Sequence, residues 1–200
     1  MRNFLMFTVL SVFSFSIIFA QTGEDNDSFT TGWAEGDIAL SGSLNYSTTS
    51  QDDVKDSSFG VMPQIGYFFN ENLQGGLSLG YMSNTAEAND IDIFDESTIM
   101  AGAFLKYFCM PEKRFSPYAS LGINYMSTDD GLNDVKFNGF GIGVGLGANF
   151  FLNDDWALTT SVGALSYTSE KADFDGAEAR NTFGLDLDFK NIWFGVVRRF

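Results

Sequence analysis

Along most of this chain hydrophobic residues return at every second position, and the residues between them are small. In GFGIGVGLGANFF, Gly139 to Phe151, the residues Phe140, Ile142, Val144, Leu146 and Ala148 alternate with five glycines. Leu73, Leu77, Leu79 and Tyr81 oppose Gln74, Gly76, Ser78 and Gly80 in the same way. So do Ala119, Leu121, Ile123 and Tyr125 against Tyr118, Ser120, Gly122 and Asn124, and Ile38, Leu40, Leu44 and Tyr46 against Asp37, Ser41, Ser43 and Asn45. A period of two belongs to an extended strand, whose side chains point alternately to the two faces of a sheet. A phosphate-cradling G-x-G-x-x-G loop is excluded in the glycine run, because Val144 and Leu146 stand where its third glycine would fall.

The strands repeat as hairpins. SGSLNYST, GLSLGYMS, SLGINYMS and GALSYTS end on Tyr46, Tyr81, Tyr125 and Tyr167, and each is followed by a polar, acidic segment. Between them, Phe68-Phe69, Tyr107-Phe108 and Phe150-Phe151 each close a segment just before a short turn. Four hairpins predict eight strands, near 37–46, 58–69, 73–82, 98–108, 117–126, 138–150, 156–167 and 191–200. In the seventh, Leu158 and Val162 share one face and Leu165 and Tyr167 the other, which predicts a bulge between them. In the last, Phe183, Leu185, Leu187 and Phe189 are out of phase with Ile192, Phe194, Val196 and Phe200, which predicts a break near Lys190–Asn191.

The two faces decide the environment. A soluble ligand-binding barrel turns its aliphatic face inward and carries charge outside. Here the second face is Gly, Ser and Asn, which suits the inside of a narrow eight-stranded barrel. The apolar face then points outward, into lipid. Aromatics at both strand ends would sit at the two interfaces, and closure removes the sheet edges that lipid does not tolerate. The glycines leave room for inward rings such as Phe104 and Tyr118. The competing architecture is a soluble two-sheet sandwich. The expected fold is all-β: an eight-stranded antiparallel up-and-down transmembrane β-barrel, with strand one pairing with strand eight.

Composition extends this reading. Arg2, an apolar stretch from Phe4 to Phe19 and Ala20 before a polar run predict a secretory signal peptide over residues 1–20. Residues 21–32 form a flexible lead-in, and 33–200 the barrel domain. The chain has 26 acidic and 11 basic residues, no histidine and one cysteine, with net charge −15. A basic nucleic-acid patch is disfavoured, and one cysteine builds no intramolecular disulfide framework. After the signal no apolar run is long enough for a membrane helix.

GYFFNENLQGGLSLGY, FLKYFCMPEKRFSPYASLGINY, GANFFLNDDWALTTSVGALSY and the terminal Phe200 together resemble the OmpA/OmpX-type small outer-membrane β-barrel family, over essentially all of residues 33–200. The resemblance implies the outer membrane of a Gram-negative bacterium, a monomer, contact with outer-membrane lipids and lipopolysaccharide, and a role in envelope structure or surface interaction. It also implies that Phe200 is part of the signal read by the barrel assembly machinery. Arg198 departs from the aromatic or aliphatic residue usual near that signal, and at the rim it can snorkel. The alternatives are a narrow passive pore and an outer-membrane lipid-modifying enzyme. The barrel enzymes of this class rely on histidine, so this chain lacks their usual general base.

Candidate site residues are few. No catalytic, cofactor-binding or metal-binding residue is assigned, and no cofactor is expected. Glu35 and Asp37 at the bottom of strand one, Arg199 at the bottom of strand eight and Lys106 on strand four are expected to face inward as a lumen charge network. Four long loops, Ser47–Ser57, Met82–Ser97, Ser127–Phe137 and Thr168–Asn181, hold 15 acidic and four basic residues. That rim either recruits divalent cations between loops and lipid or serves only solvation. The segments Asp90–Glu96 and Asp173–Gly176 lack the remaining ligands of a twelve-residue calcium loop. Cys109 reads as a thiol beside a turn rather than a nucleophile.

Overall fold

The computed structural model describes residues 32–89, 91–174, 176–185 and 192–200. The expected signal peptide and nearly all of the lead-in lie outside them, as do Lys190 and Asn191, where the break was expected. The strands are β1 (Ile38–Gln51), β2 (Val54–Asn70), β3 (Leu73–Ala88), β4 (Ile91–Phe108), β5 (Phe115–Asp130), β6 (Val135–Phe151), β7 (Trp156–Ala172), β8 (Arg180–Leu185) and β9 (Trp193–Arg199). Neighbours in sequence pair antiparallel from β1 to β7. β9 then pairs with β7 through Trp156–Ser161 and with β1 through Ala39–Leu44, which closes the ring. Among the described residues the eighth stave consists of β8 and β9, and β8 pairs with the other half of β7, Leu165–Glu170.

The expected bulge in the seventh strand has a visible cause. Val144 pairs with Leu165 but Gly145 pairs with Gly163, so Ala164 is an extra residue in β7 and the outward face switches from even to odd numbers there. Along the eighth stave, Leu185 pairs with Leu165 and Trp193 with Ser161, on opposite sides of that bulge. Phe183 and Leu185 are exposed on odd positions and Phe194 and Val196 on even ones, in keeping with the switch of face in β7.

The alternating faces sort as lipid requires. Leu40, Leu44, Ile65, Leu77, Leu79, Leu121, Ile123, Ile142 and Leu146 lie exposed on the outer surface. Each aromatic pair at the short-turn end divides: Phe68, Phe108 and Phe151 are buried inside, while Phe69 and Tyr107 stand exposed outside. Tyr46, Phe59, Tyr81, Tyr125 and Phe140 form the outer aromatic band at the opposite end.

The four polar segments expected as long loops are mostly strand. β1 and β2 pair out to Gln51 and Val54, so their turn is only Asp52-Asp53. β5 and β6 likewise pair to Asp130 and Val135. A transmembrane strand needs only about 9–11 residues, whereas β2 to β7 have 16 to 18. The surplus forms hairpin arms beyond the aromatic band, at the end that is extracellular in this class. Asp52, Asn89 and Asp134 take left-handed backbone conformations at the tips, which Asn and Asp tolerate.

The glycine face of β6 is a clearance surface. A Cβ at Gly147 would strike the Tyr118 ring and the Thr160 carbonyl, and one at Gly145 would come within 2.9 Å of Ser120 Oγ and the Val162 carbonyl. At Gly143 the nearest atom is the Leu165 carbonyl at 3.4 Å. Phe104 needs the same clearance from Gly76 on β3, not from β6. Gly147→Ala is therefore expected to lower unfolding stability by about 1–3 kcal/mol, the usual cost of overpacking, while Gly143→Ala stays near wild type. Urea titration of the heat-modifiable gel shift measures both.

Candidate functional site: the plugged lumen and its acidic rim

The short-turn end of the barrel is corked. Trp33, just before β1, stacks on Phe68 at a ring distance of 4.4 Å and lies 5.8 Å from Phe108 and 5.0 Å from Phe151. Phe108 continues the contact to Tyr118 at 5.1 Å. With Ala39, Ala157 and Val197 these rings make the buried core. The cork is anchored by its backbone: Trp33 N–H donates to the Pro111 carbonyl at 3.0 Å and Gly36 N–H to the Phe68 carbonyl at 2.9 Å. Gly32 has φ +127°, and a Cβ there would collide with Pro111 and Glu112. Nothing in the strand period marked Trp33, because it precedes the first strand.

The residues expected as one charge network divide. Arg199 and Asp37 approach to 3.8 Å, both largely buried. Arg199 Nη1 also donates to the Gly32 carbonyl, and Asp37 Oδ2 accepts the Ala34 N–H at 2.8 Å. This pair fastens the segment that carries Trp33. Glu35 does not face inward; it is exposed in the turn before β1. Lys106 does not join the pair. Its Nζ donates to Gln64 Oε1 at 2.9 Å and lies over the rings of Phe104 and Tyr118. On β4, Lys106 stands two residues before the cork ring Phe108, on the side away from the short turn, and pairs across strands with Gln74 and Ser120.

Above Tyr118 the interior is not filled. A cavity of about 270 Å³ is lined by Ser43, Gln64, Ser78, Lys106, Ser120 and Asn124, among others. Buried rings cluster at the corked end, whereas Gly, Ser and Asn are prominent around the cavity, with the Trp193 ring among the lining residues.

Phe200 lies exposed on the outer surface, and its N–H and carbonyl exchange hydrogen bonds with Ile38 at 2.8 and 3.1 Å. The Arg198 guanidinium lies over Phe200 and Trp156, at 4.5 and 5.5 Å from the ring centres. Cys109 is exposed in the turn after β4.

At the arm end, carboxylates crowd the lumen-side face. Glu96 is directly opposite Asp130, and Glu170 is near enough to act on it. Burial, then the charges of Asp130 and Glu170, push the Glu96 carboxyl above the usual glutamate range, against an opposing pull from Arg180. Asp130 moves the other way, because it accepts hydrogen bonds from the Asn133 side chain and from the Asn133 and Leu132 backbone. Two of the lysines on the arms are engaged across strands: Lys55 with Glu87 at 3.9 Å and Lys136 with Asp129 at 3.3 Å. Among the described residues no group of three or more acidic, cysteine or histidine side chains is placed to hold a metal ion.

A closed ring of antiparallel strands with an apolar exterior and aromatic bands defines an integral outer-membrane β-barrel. The sequence matches the family described as "Outer membrane protein beta-barrel domain" over residues 7–200, and the chain belongs to that family. It is 26% identical to outer membrane protein W of Vibrio cholerae serotype O1, with 56% of this chain and 67% of that protein covered. Its fold is similar to outer membrane protein OprG of Pseudomonas aeruginosa (TM-score 0.53, 17% identity, 84% of this chain and 98% of the other). It is equally similar to outer membrane protein W of E. coli (TM-score 0.52, 17% identity, 84% and 99%). The protein is thus an outer-membrane β-barrel whose fold is similar to those of OprG and outer membrane protein W.

Two outcomes follow from the charges. Arg199→Ala is expected to destabilise the barrel by about 1–3 kcal/mol, the scale of lost hydrogen bonds to a charged group, and to raise acrylamide quenching of Trp33; unchanged melting and quenching would contradict it. A carboxyl whose folded value is raised binds protons more readily when folded, so its ionised form costs stability at neutral pH. Glu96→Gln should therefore raise the melting temperature at neutral pH, and the difference should shrink as the pH falls through the raised Glu96 range.

Proposed function

We propose that this protein serves the envelope as an anchored surface-interaction barrel rather than as a through-pore. The observation that carries the reading is the ring cluster of Trp33, Phe68, Phe108 and Phe151 at one end of the lumen. Eight strands enclose an interior only about wide enough for side chains, and this cluster of four rings occupies that width. The working surface is then the opposite end, where the hairpin arms carry the acidic residues.

The arms gather negative charge beside the lipopolysaccharide leaflet. A field of that sign favours basic surfaces and divalent cations as partners, the cations held loosely by carboxylate oxygens and without one defined site. The barrel assembly machinery and outer-membrane lipids complete the proposed partners, and the chain acts as a monomer. Enzymatic chemistry finds no support in the lumen: the sequence has no histidine to serve as a base.

Conductance separates the anchored barrel from a pore. The folded protein in planar bilayers is expected to show no steady single-channel current, and the Trp33→Ala/Phe108→Ala double variant is expected to show one. A steady wild-type current equal to that of the double variant would favour the passive pore. Loop-resonance NMR in lipopolysaccharide-containing bilayers tests the cation reading: calcium or magnesium at millimolar concentration should shift signals from the arms, and an absent response leaves the acidic residues with solvation alone.

A further inference from the structure

We propose that the lumen cavity above the cork is a binding site for a small organic carboxylate, with the Lys106 ammonium as its charge partner. Among the described residues Lys106 is the one charged residue lining the cavity. Among the described residues no carboxylate reaches it at ion-pair distance. An ammonium has three donors, of which one is given to Gln64 Oε1. A cation enclosed by protein is costly unless paired, and here the protein offers only a neutral amide and two ring faces. The complementary ligand is an anion.

The walls narrow the class. Ser120 is the cross-strand partner of Lys106, and with Ser43, Ser78, Ser161 and Asn124 it supplies neutral donors around the same space. Such donors suit a carboxylate's two oxygens. Phe104, Tyr118 and Trp193 also line the cavity, offering apolar contact to the rest of a ligand. The volume, about 270 Å³, equals the liquid share of roughly nine waters. That exceeds what a halide needs and suits an organic acid with a small apolar body. The acidic arms do not oppose this closely. Glu96 lies ten residues from Lys106 along β4, roughly 34 Å of extended strand, which is several screening lengths at physiological salt. The ring cluster closes the other end, so the ligand enters from the arm side.

Benzoate is the probe, with benzamide as its uncharged isostere. The isotope-labelled barrel, folded in an uncharged-head or zwitterionic detergent, is titrated at constant ionic strength and followed by amide NMR. Benzoate should give saturable shifts at Ser120, Gly143, Gly145 and Trp193, and benzamide should not. Lys106→Met should weaken benzoate about tenfold to a hundredfold, the loss expected for one charge-assisted hydrogen bond, while Lys106→Arg retains binding. If Lys106→Met fails the heat-modifiability test for folding, Ser120→Ala and Asn124→Ala replace it and should each weaken benzoate several-fold. Equal shifts with benzamide, non-saturating shifts, shifts confined to the outer surface, or unchanged affinity in folded Lys106→Met (or in its replacements Ser120→Ala and Asn124→Ala) would each overturn the site.

Discussion

Within a bilayer no water reaches a peptide N–H or carbonyl, so every backbone group at that depth must find its partner in the chain. This protein meets the demand by closing a sheet on itself, and most other features follow from that closure. The eighth stave must bond β7 on one side and β1 on the other. Just before β9, the Ile192 carbonyl accepts the Asn45 side-chain amide at 3.1 Å. Pro63 shows the constraint from the opposite side. It has no N–H to give, and the β2–β3 ladder is silent at Met62 and Pro63 while β1–β2 pairs through them.

Closure turns one face of every strand into lipid surface and the other into lumen, which is why the fold was legible in the sequence. A two-residue period with Leu, Ile and Val on one side and Gly, Ser and Asn on the other has few other solutions. The bulge at Ala164 was legible for the same reason, since an extra residue inverts the alternation on either side of it. The lengths of the arms were not. Above the aromatic band both faces of a strand meet water, so stretches such as Ser47–Gln51 and Met82–Ala88 carry no apolar alternation and read as loop, although their backbones stay paired.

The interior was legible only where one strand sufficed. Asp37 and Arg199 sit near the ends of strands that closure makes neighbours, and parity alone brings them to one face. Trp33 belongs to no strand and follows no period; its place depends on the Pro111 carbonyl, far along the chain. Lys106 was assigned to the lumen by parity, but its partner Gln64 is 42 residues away in sequence, on β2, with β3 between the two strands. Such a contact depends on stagger and inner diameter, which no single strand encodes. Glu35 was misplaced because the alternation was carried past the start of β1, into a turn where Gly36 has φ +91°.

Among the described residues the seam between β1 and β9 joins six residue pairs, whereas β1 and β2 share fourteen. In mechanical terms the barrel is a ring of tough hairpins fastened between its termini by a short clasp. A force that separates the termini would load that clasp first and share little strain with the rest of the ladder. Once it parts, each hairpin would peel away as a unit, so the rupture pattern under tension should be stepwise and the first step the smallest. Insertion into a membrane, run in the reverse sense, would end with the clasp.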